Sequence, residues 1–415
     1  MHARIFCRSL RQLNEAKNYF EVGKASIYNA QESLTYPKNV RIVDYRSDTF
    51  SKPSKEMRQV MFEAKVGDDV YGEDPTVNAL EEKGAKMLNK ETSLFVASGT
   101  MANLLAIMTH ADNRGCEIIV GEDSHILLWE QAGAAQIAGV QLRSVPNFPN
   151  GTFSVKEMLQ KFRRSQNFQP RTSLVCVENT HNSCGGRVTP LSWLRELSDA
   201  LKDTGVPLHM DGARFFNSVV SSKVPAHEIV RDCDSINVCL SKGLGAPIGS
   251  LLIGKADFIH KARQLRKVLG GGMRQVGLVA AAGIYALDHM VERLEEDHIH
   301  ARTVAKGIHD MKSQVVQVDL DSLETNILLI HVDTHVITSQ QFCKRLASIT
   351  KDELDEGIET AVKILPWTTN IARLVVCCNN NAEDAEATVK KMQFVIRELD
   401  EHAKLNMTSR VEDRR

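Results

Sequence analysis

At 415 residues, with 43% hydrophobic and 25% charged side chains, the chain has the length and composition for one large domain and one smaller domain, each with a packed core. A formal net charge of -1 excludes a general electrostatic affinity for nucleic acid or for a membrane surface, so any anion site has to be local. The longest apolar stretch, 276–287, is too short to span a bilayer and reads as a buried helix.

The first residues carry Arg4, Arg8 and Arg11 with no acid before Glu15, and Ile5, Phe6, Leu10 and Leu13 fall on one helical face. That pattern fits a mitochondrial presequence; a plain extension is the alternative, and a secretory signal is excluded by the lack of an apolar core after the basic residues. The nine cysteines include Cys176, Cys239, Cys377 and Cys378 inside apolar runs, with no C-x-x-C pair at metal spacing. They read as reduced thiols of a cytoplasmic protein without a metal site, a mitochondrial location being the alternative that the basic N-terminus leaves open.

From residue 42 short apolar runs alternate with helical stretches. Strands are expected at 93–96, 117–120, 141–145, 173–178, 207–210, 235–240 and 250–253, with helices at 101–110 and 126–138. Long crossovers and near-continuous apolar strands suit an α/β fold with a mostly parallel sheet between helices. After 287 the texture changes to a charged helix at 290–308, strands at 326–332 and 372–378, and helices at 340–349 and 382–399. The expected organisation is an extension over 1–40, a large domain over 41–290, a small α/β domain over 291–405 and a frayed tail over 406–415.

Several strand ends carry chemistry. Ser98, Gly99 and Thr100 join a strand to a helix, where free N–H groups and the helix dipole favour an anion; the plainer reading is a cap. His125, after Asp123 and Ser124, lies just past a strand, either as a ring that stacks on a flat ligand or as part of a helix start. His181, in the run Glu178 to Asn182, ends another strand and is a second candidate base. Asp211 ends an apolar strand and is followed by Gly212, Ala213 and Arg214. Lys242 follows the run 236–240. An amine able to form a Schiff base and an acid able to keep a pyridine nitrogen protonated are the two groups that pyridoxal 5'-phosphate (PLP) requires of a protein. Either residue by itself reads as structural; the pair in this order points to PLP. The basic run 261–274 offers Arg274 as a phosphate clamp. It lacks the interleaved aromatics of a nucleic-acid site.

Taken in order, Asp44-Tyr45-Arg46-Ser47-Asp48-Thr49, the run 66–76 with Tyr71, Ser98-Gly99-Thr100-Met101, Glu178-Asn179-Thr180-His181-Asn182, Asp211-Gly212-Ala213-Arg214, the run 241–247 and Gly270-Gly271-Gly272-Met273-Arg274-Gln275 resemble the L-threonine aldolase family of the low-specificity, L-allo-threonine type. The resemblance runs from about residue 43 to near the end of the chain. It implies a fold-type I PLP enzyme that cleaves L-threonine or L-allo-threonine to glycine and acetaldehyde, and a homotetramer with shared active sites. By position, Lys242 would attach the cofactor, Asp211 would face the pyridine nitrogen, His125 would stack on the ring, and Ser98, Gly99 and Thr100 would hold the phosphate. Arg214 would serve cofactor and substrate. Ser47, Arg214 and Arg373 would bind the substrate carboxylate, while Tyr71, Lys267 and Arg274 would enter from a neighbouring subunit. After Arg373 the sequence departs from the family pattern, with Val376, Cys377 and Cys378. The base at the β-hydroxyl stays open between His125, His181 and water. The alternatives are another PLP enzyme acting on amino acids (a β-eliminating lyase, transaminase or racemase) and a non-catalytic relative.

Overall fold

The computed structural model describes residues 36, 39–164 and 168–412, with side chains as far as 405. The N-terminal targeting reading falls outside the described residues. The chain divides into two compact units, residues 49–296 and a second unit that joins the segment up to 48 to 297 onward. The first strand, β1 (Arg41–Asp44), pairs in parallel with a strand near residue 360. The expected boundary at 41 is therefore corrected: the segment through Asp48 belongs with the C-terminal unit, because its backbone hydrogen bonds lie there.

The large unit is built on β2 (Thr92–Val96), β3 (Cys116–Gly121), β4 (Gln141–Val145), β5 (Arg171–Glu178), β6 (Leu208–Gly212), β7 (Ser235–Cys239) and β8 (Ser250–Gly254), in the order β2-β8-β7-β6-β5-β3-β4. Only β8 runs against its neighbours. Its connection to β7 through 240–249 has no helix and is too short for a parallel crossover, so the strand turns back beside β7. All residues of β3, β6, β7 and β8 are buried, which is why these strands read as apolar runs without alternation. Glu117 in β3 is buried as well, and its carboxylate is met by Arg163 at 3.1 Å and Thr172 at 3.0 Å.

Helices pack on the sheet, among them Gly99–His110 and Ala256–Val268, whose apolar faces join Leu94, Val96, Leu105, Leu252 and Ile259 in one core cluster. The helix expected over 126–138 is two single turns, His125–Leu128 and Gly133–Gln136. Gln131 and Ala132 between them take positive φ values of 51° and 54°. The break turns Glu130 inward, where it hydrogen-bonds Asn103 and His125.

The second unit has β9 (Val316–Gln317), β10 (Ile327–Val332), β11 (Thr360–Lys363), β12 (Leu365–Thr368) and β13 (Ile371–Val375). The antiparallel sheet runs β12-β13-β10-β9, and β1 pairs with β11. Val43, Leu328, Ile330, Phe342, Leu374 and Val395 lie in one core cluster. The last helix runs from Ala382 to Glu412, so the backbone is helical through most of the expected tail. No helix among the described residues is long and apolar enough to cross a membrane.

Candidate active site

In the large unit, the loops after β2, β3, β5, β6 and β7 leave the sheet at the same carboxyl edge, where ligands bind in open α/β folds. Ser98 caps the helix Gly99–His110, its Oγ accepting from Met101 N at 3.1 Å, and Ser98 and Thr100 are exposed. A Cβ on Gly99 would lie 2.5 Å from Cys239 Sγ, so the helix start needs glycine to approach β7.

Parallel register sets Glu178, Asp211 and Asn237 abreast on β5, β6 and β7. Residues two positions earlier share the same face, which places His209 beside Ser235 beneath that row. Asp211 is 1% exposed. Its Oδ1 accepts from Ala213 N at 3.0 Å and Asn237 Nδ2 at 3.2 Å, and its Oδ2 accepts from Asn103 Nδ2 at 2.8 Å. Each of its hydrogen-bond partners among the described residues is a donor, so the carboxylate is an acceptor toward whatever ligand faces it. Ser250 Oγ hydrogen-bonds the Asn237 amide oxygen and fixes its orientation.

His125 N donates to Glu178 Oε2 at 2.8 Å, and His125 Nδ1 lies 2.9 Å from Glu130 Oε1. Burial disfavours the imidazolium, but the hydrogen bond to Glu130 and the charges of Asp211 and Glu178 outweigh it, and the net effect raises the His125 pKa. The ligand atoms of His125, Glu130 and Asp211 lie within 4.8 Å of one another. The Asn103 amide donates to both carboxylates in that cluster.

His181 is 1% exposed and is held apart, its N donating to Arg187 O at 2.9 Å. It lines a small cavity with Ser124, Asn147, Phe153, Glu178 and Trp193. Gly151, at φ +84°, would bring a Cβ to 2.6 Å from His181 Cβ. Arg214 is buried, and its Nη1 donates to Asn182 Oδ1 at 2.9 Å. Lys242 is half-buried in the β7–β8 loop, its carbonyl accepting from Ser51 Oγ at 2.8 Å and Gly245 N at 2.9 Å. Its ammonium has no hydrogen bond or ion pair among the described residues.

Tyr71, Lys267 and Arg274 are exposed and lie on neighbouring segments. Tyr71 ends a short turn capped by Asp68, Arg274 Nη1 reaches Asp68 Oδ2 at 2.9 Å, and the Lys267 side chain lies over Gly272. The turn is anchored by the buried pair Arg266–Asp69 at 2.7 Å. Ser47 and Arg373 fall in the second unit, on neighbouring segments joined by the 2.8 Å bond from Val375 N to Tyr45 O; the Arg373 guanidinium lies 4.7 Å from the centre of the Trp367 ring.

Asn103, Glu130, His209 and Asn237 were not anticipated. Two of them carried a signal: a histidine two residues before Asp211 on the same strand face, and an asparagine inside the buried run before Lys242. Nothing local marked Asn103 or Glu130.

Comparison with known proteins converges on one group. A model of the beta-eliminating lyase family matches residues 44–334. Low-specificity L-threonine aldolase 1 of Arabidopsis thaliana is 43% identical over 310 residues, 74% of this chain and 86% of that protein. The low specificity L-threonine aldolase of Escherichia coli K12 is 43% identical over 291 residues, 70% of this chain and 85% of its own length. In fold, a threonine aldolase structure from Leishmania major superposes with a TM-score of 0.68 at 20% identity, over 85% of this chain and 99% of that one.

Proposed function

Because the chain belongs to the low-specificity L-threonine aldolases of the beta-eliminating lyase family, we propose that it cleaves L-threonine and L-allo-threonine to glycine and acetaldehyde with PLP as cofactor. The observation that carries the reading is that Asp211, with donors on both oxygens, and Lys242, with an unengaged amine, lie at one sheet edge in a chain 43% identical to such an aldolase.

These residues fit PLP. Lys242 offers the amine for covalent attachment. Asp211, as a pure acceptor, suits a protonated pyridine nitrogen. The exposed Ser98 and Thr100 at a helix N-terminus suit the phosphate. Bound there, PLP supplies an electron sink for the pair left on Cα when the Cα–Cβ bond breaks. The protein supplies the rest. Arg214 is assigned to the substrate carboxylate, while the same assignment for Ser47 and Arg373 rests on the resemblance alone. The β-hydroxyl must lose its proton as acetaldehyde departs, and Cα must gain one to become glycine. We assign the first transfer to His125, whose Nδ1 is tied to Glu130 and whose Nε2 is the ring's other basic atom. His181, enclosed against Gly151, is the weaker candidate. Tyr71, Lys267 and Arg274 are proposed to serve the site of a second copy in a homotetramer, since all three belong to one exposed surface. The eight described cysteines are free thiols, which supports a reducing, cytoplasmic location.

Purified protein incubated with L-threonine or L-allo-threonine, with and without PLP, should yield glycine and acetaldehyde in equal amounts only when PLP is present. Lys242→Ala should lose both the activity and the visible absorbance of bound cofactor. Pyruvate as the main product would instead identify an eliminating lyase.

A further inference from the structure

One side-chain amide touches both sets of groups that the proposed reading places around the cofactor's ring. Asn103 Nδ2 donates to Asp211 Oδ2 at 2.8 Å and to Glu130 Oε1 at 2.8 Å, and that same Glu130 oxygen lies 2.9 Å from His125 Nδ1. The amide has one sensible orientation. Its NH2 must face the two carboxylates, because its oxygen there would meet two acceptors. Its Oδ1 then turns to His209 Nε2 and Asn237 Nδ2, each at 3.2 Å.

The remaining proton positions follow. Facing an oxygen, His209 carries its proton on Nε2. Burial and the neighbouring His110 hold the His209 pKa down to about 3, so the ring is neutral and its Nδ1 is an acceptor. Nδ1 therefore accepts a hydrogen bond from the Ser235 hydroxyl at 2.8 Å. Ser235 Oγ, its one proton committed, accepts from His110 Nε2 at 2.8 Å. Asn103, His209 and Ser235 are at most 1% exposed, so water does not compete for these bonds.

We propose that Asn103 is a positioning residue whose amide, oriented by the chain His110–Ser235–His209, fixes Asp211 and the Glu130-anchored His125 relative to each other and keeps the Asp211 carboxylate an acceptor for a protonated pyridine nitrogen. The inference rests on the PLP reading and adds four residues to it, Asn103, His209, Ser235 and His110, each argued to act through Asp211 or His125.

Two measurements test it. In cofactor-free protein, nitrogen-15 histidine spectra should show His209 protonated on Nε2; an Nδ1-protonated ring overturns the chain whether or not PLP binds. With PLP labelled at the ring nitrogen, dissociation constants and the nitrogen shift are compared across variants. Asn103→Leu and His209→Leu should each weaken PLP about tenfold, the scale of one lost buried hydrogen bond, and move the shift toward an unprotonated nitrogen. The double variant should be no weaker than Asn103→Leu, because His209 acts through Asn103. His209→Gln, which keeps an N–H toward Asn103, should stay near wild type. Ser235→Ala removes a single oxygen and should move the shift the same way by less, which decides the matter if the larger changes prevent folding. Additive losses, or an unmoved shift in Asn103→Leu or Ser235→Ala, overturn the proposal. Failure of the wild type to bind PLP overturns the PLP reading, leaving the tautomer measurement as the test of the chain.

Discussion

Burial lowers the pKa of His110 from 6.5 to about 4 and that of His209 to about 3, whereas the carboxylates around His125 raise its pKa. The consequence for stability has a definite sign. As pH falls below 6.5 the unfolded chain protonates His110 and His209, and the native state does not follow until about 4 and 3. The unfolded state therefore binds more protons in that window, and stability falls with pH. A pKa lowered by one pH unit is worth about 1.4 kcal/mol, so the two rings together remove up to about 7 kcal/mol between about pH 6.5 and 4. His125 acts oppositely: its contribution is present below 6.5 and is lost as pH rises through its raised native value. The urea midpoint of the cofactor-free protein should drop between about pH 6.5 and 4, and the drop should be smaller in the double variant His110→Gln, His209→Gln. Equal slopes would show that these rings titrate normally in the native state.

The two single turns at His125–Leu128 and Gly133–Gln136 exist because the backbone reverses at Gln131 and Ala132, both left-handed. Ala132 sits at φ 54° and ψ 29°, where a Cβ costs about 1 kcal/mol relative to glycine. Ala132→Gly should therefore leave stability unchanged or raise it by up to about 1 kcal/mol, whereas a continuous helix there would lose about the same amount. Urea unfolding separates the two signs. The sequence over 126–138 is rich in alanine and leucine, and its local preference is helical. Glu130's bonds to Asn103 and His125 prevail over it, and nothing local foretells them. By contrast the strands of the large sheet were legible because burial on both faces makes each an apolar run, and the residues with chemistry lay at their carboxyl ends. β1 and β12 were not, since β1 is short with charged ends and Pro366 interrupts β12 at the sheet edge. The motif residues Asp211, Lys242 and Ser98 were readable for the same reason as the strands. Asn103 was hidden because a polar residue in a buried helix looks like noise until the fold sets its amide against Asp211.

At the scale of the whole molecule, the large unit exposes large apolar and charged side chains that a lone chain leaves without use. Phe62 is 83% exposed, Tyr71 76% and Val268 76%, and among the described residues Arg274 pairs with Asp68 at a half-exposed site. Exposed apolar groups beside a fixed cationic side chain suit a surface that meets a second copy. If Arg274 reaches the phosphate of its neighbour while Lys242 serves its own chain, each active site draws on two chains. Lys242→Ala and Arg274→Ala should then each be nearly inactive for different reasons, one lacking the amine and the other the clamp. When the two variants are unfolded together and refolded at equal ratio, half the dimers are mixed. Each mixed dimer holds one site with an intact Lys242 from one chain and an intact Arg274 from the other. Activity should recover to roughly a quarter of the wild-type level, the fraction set by random pairing across a two-fold interface. Recovery would require no contact between the two altered residues within a chain. Were each site complete within one chain, no mixture could contain an intact site and activity would stay at the level of the separate variants.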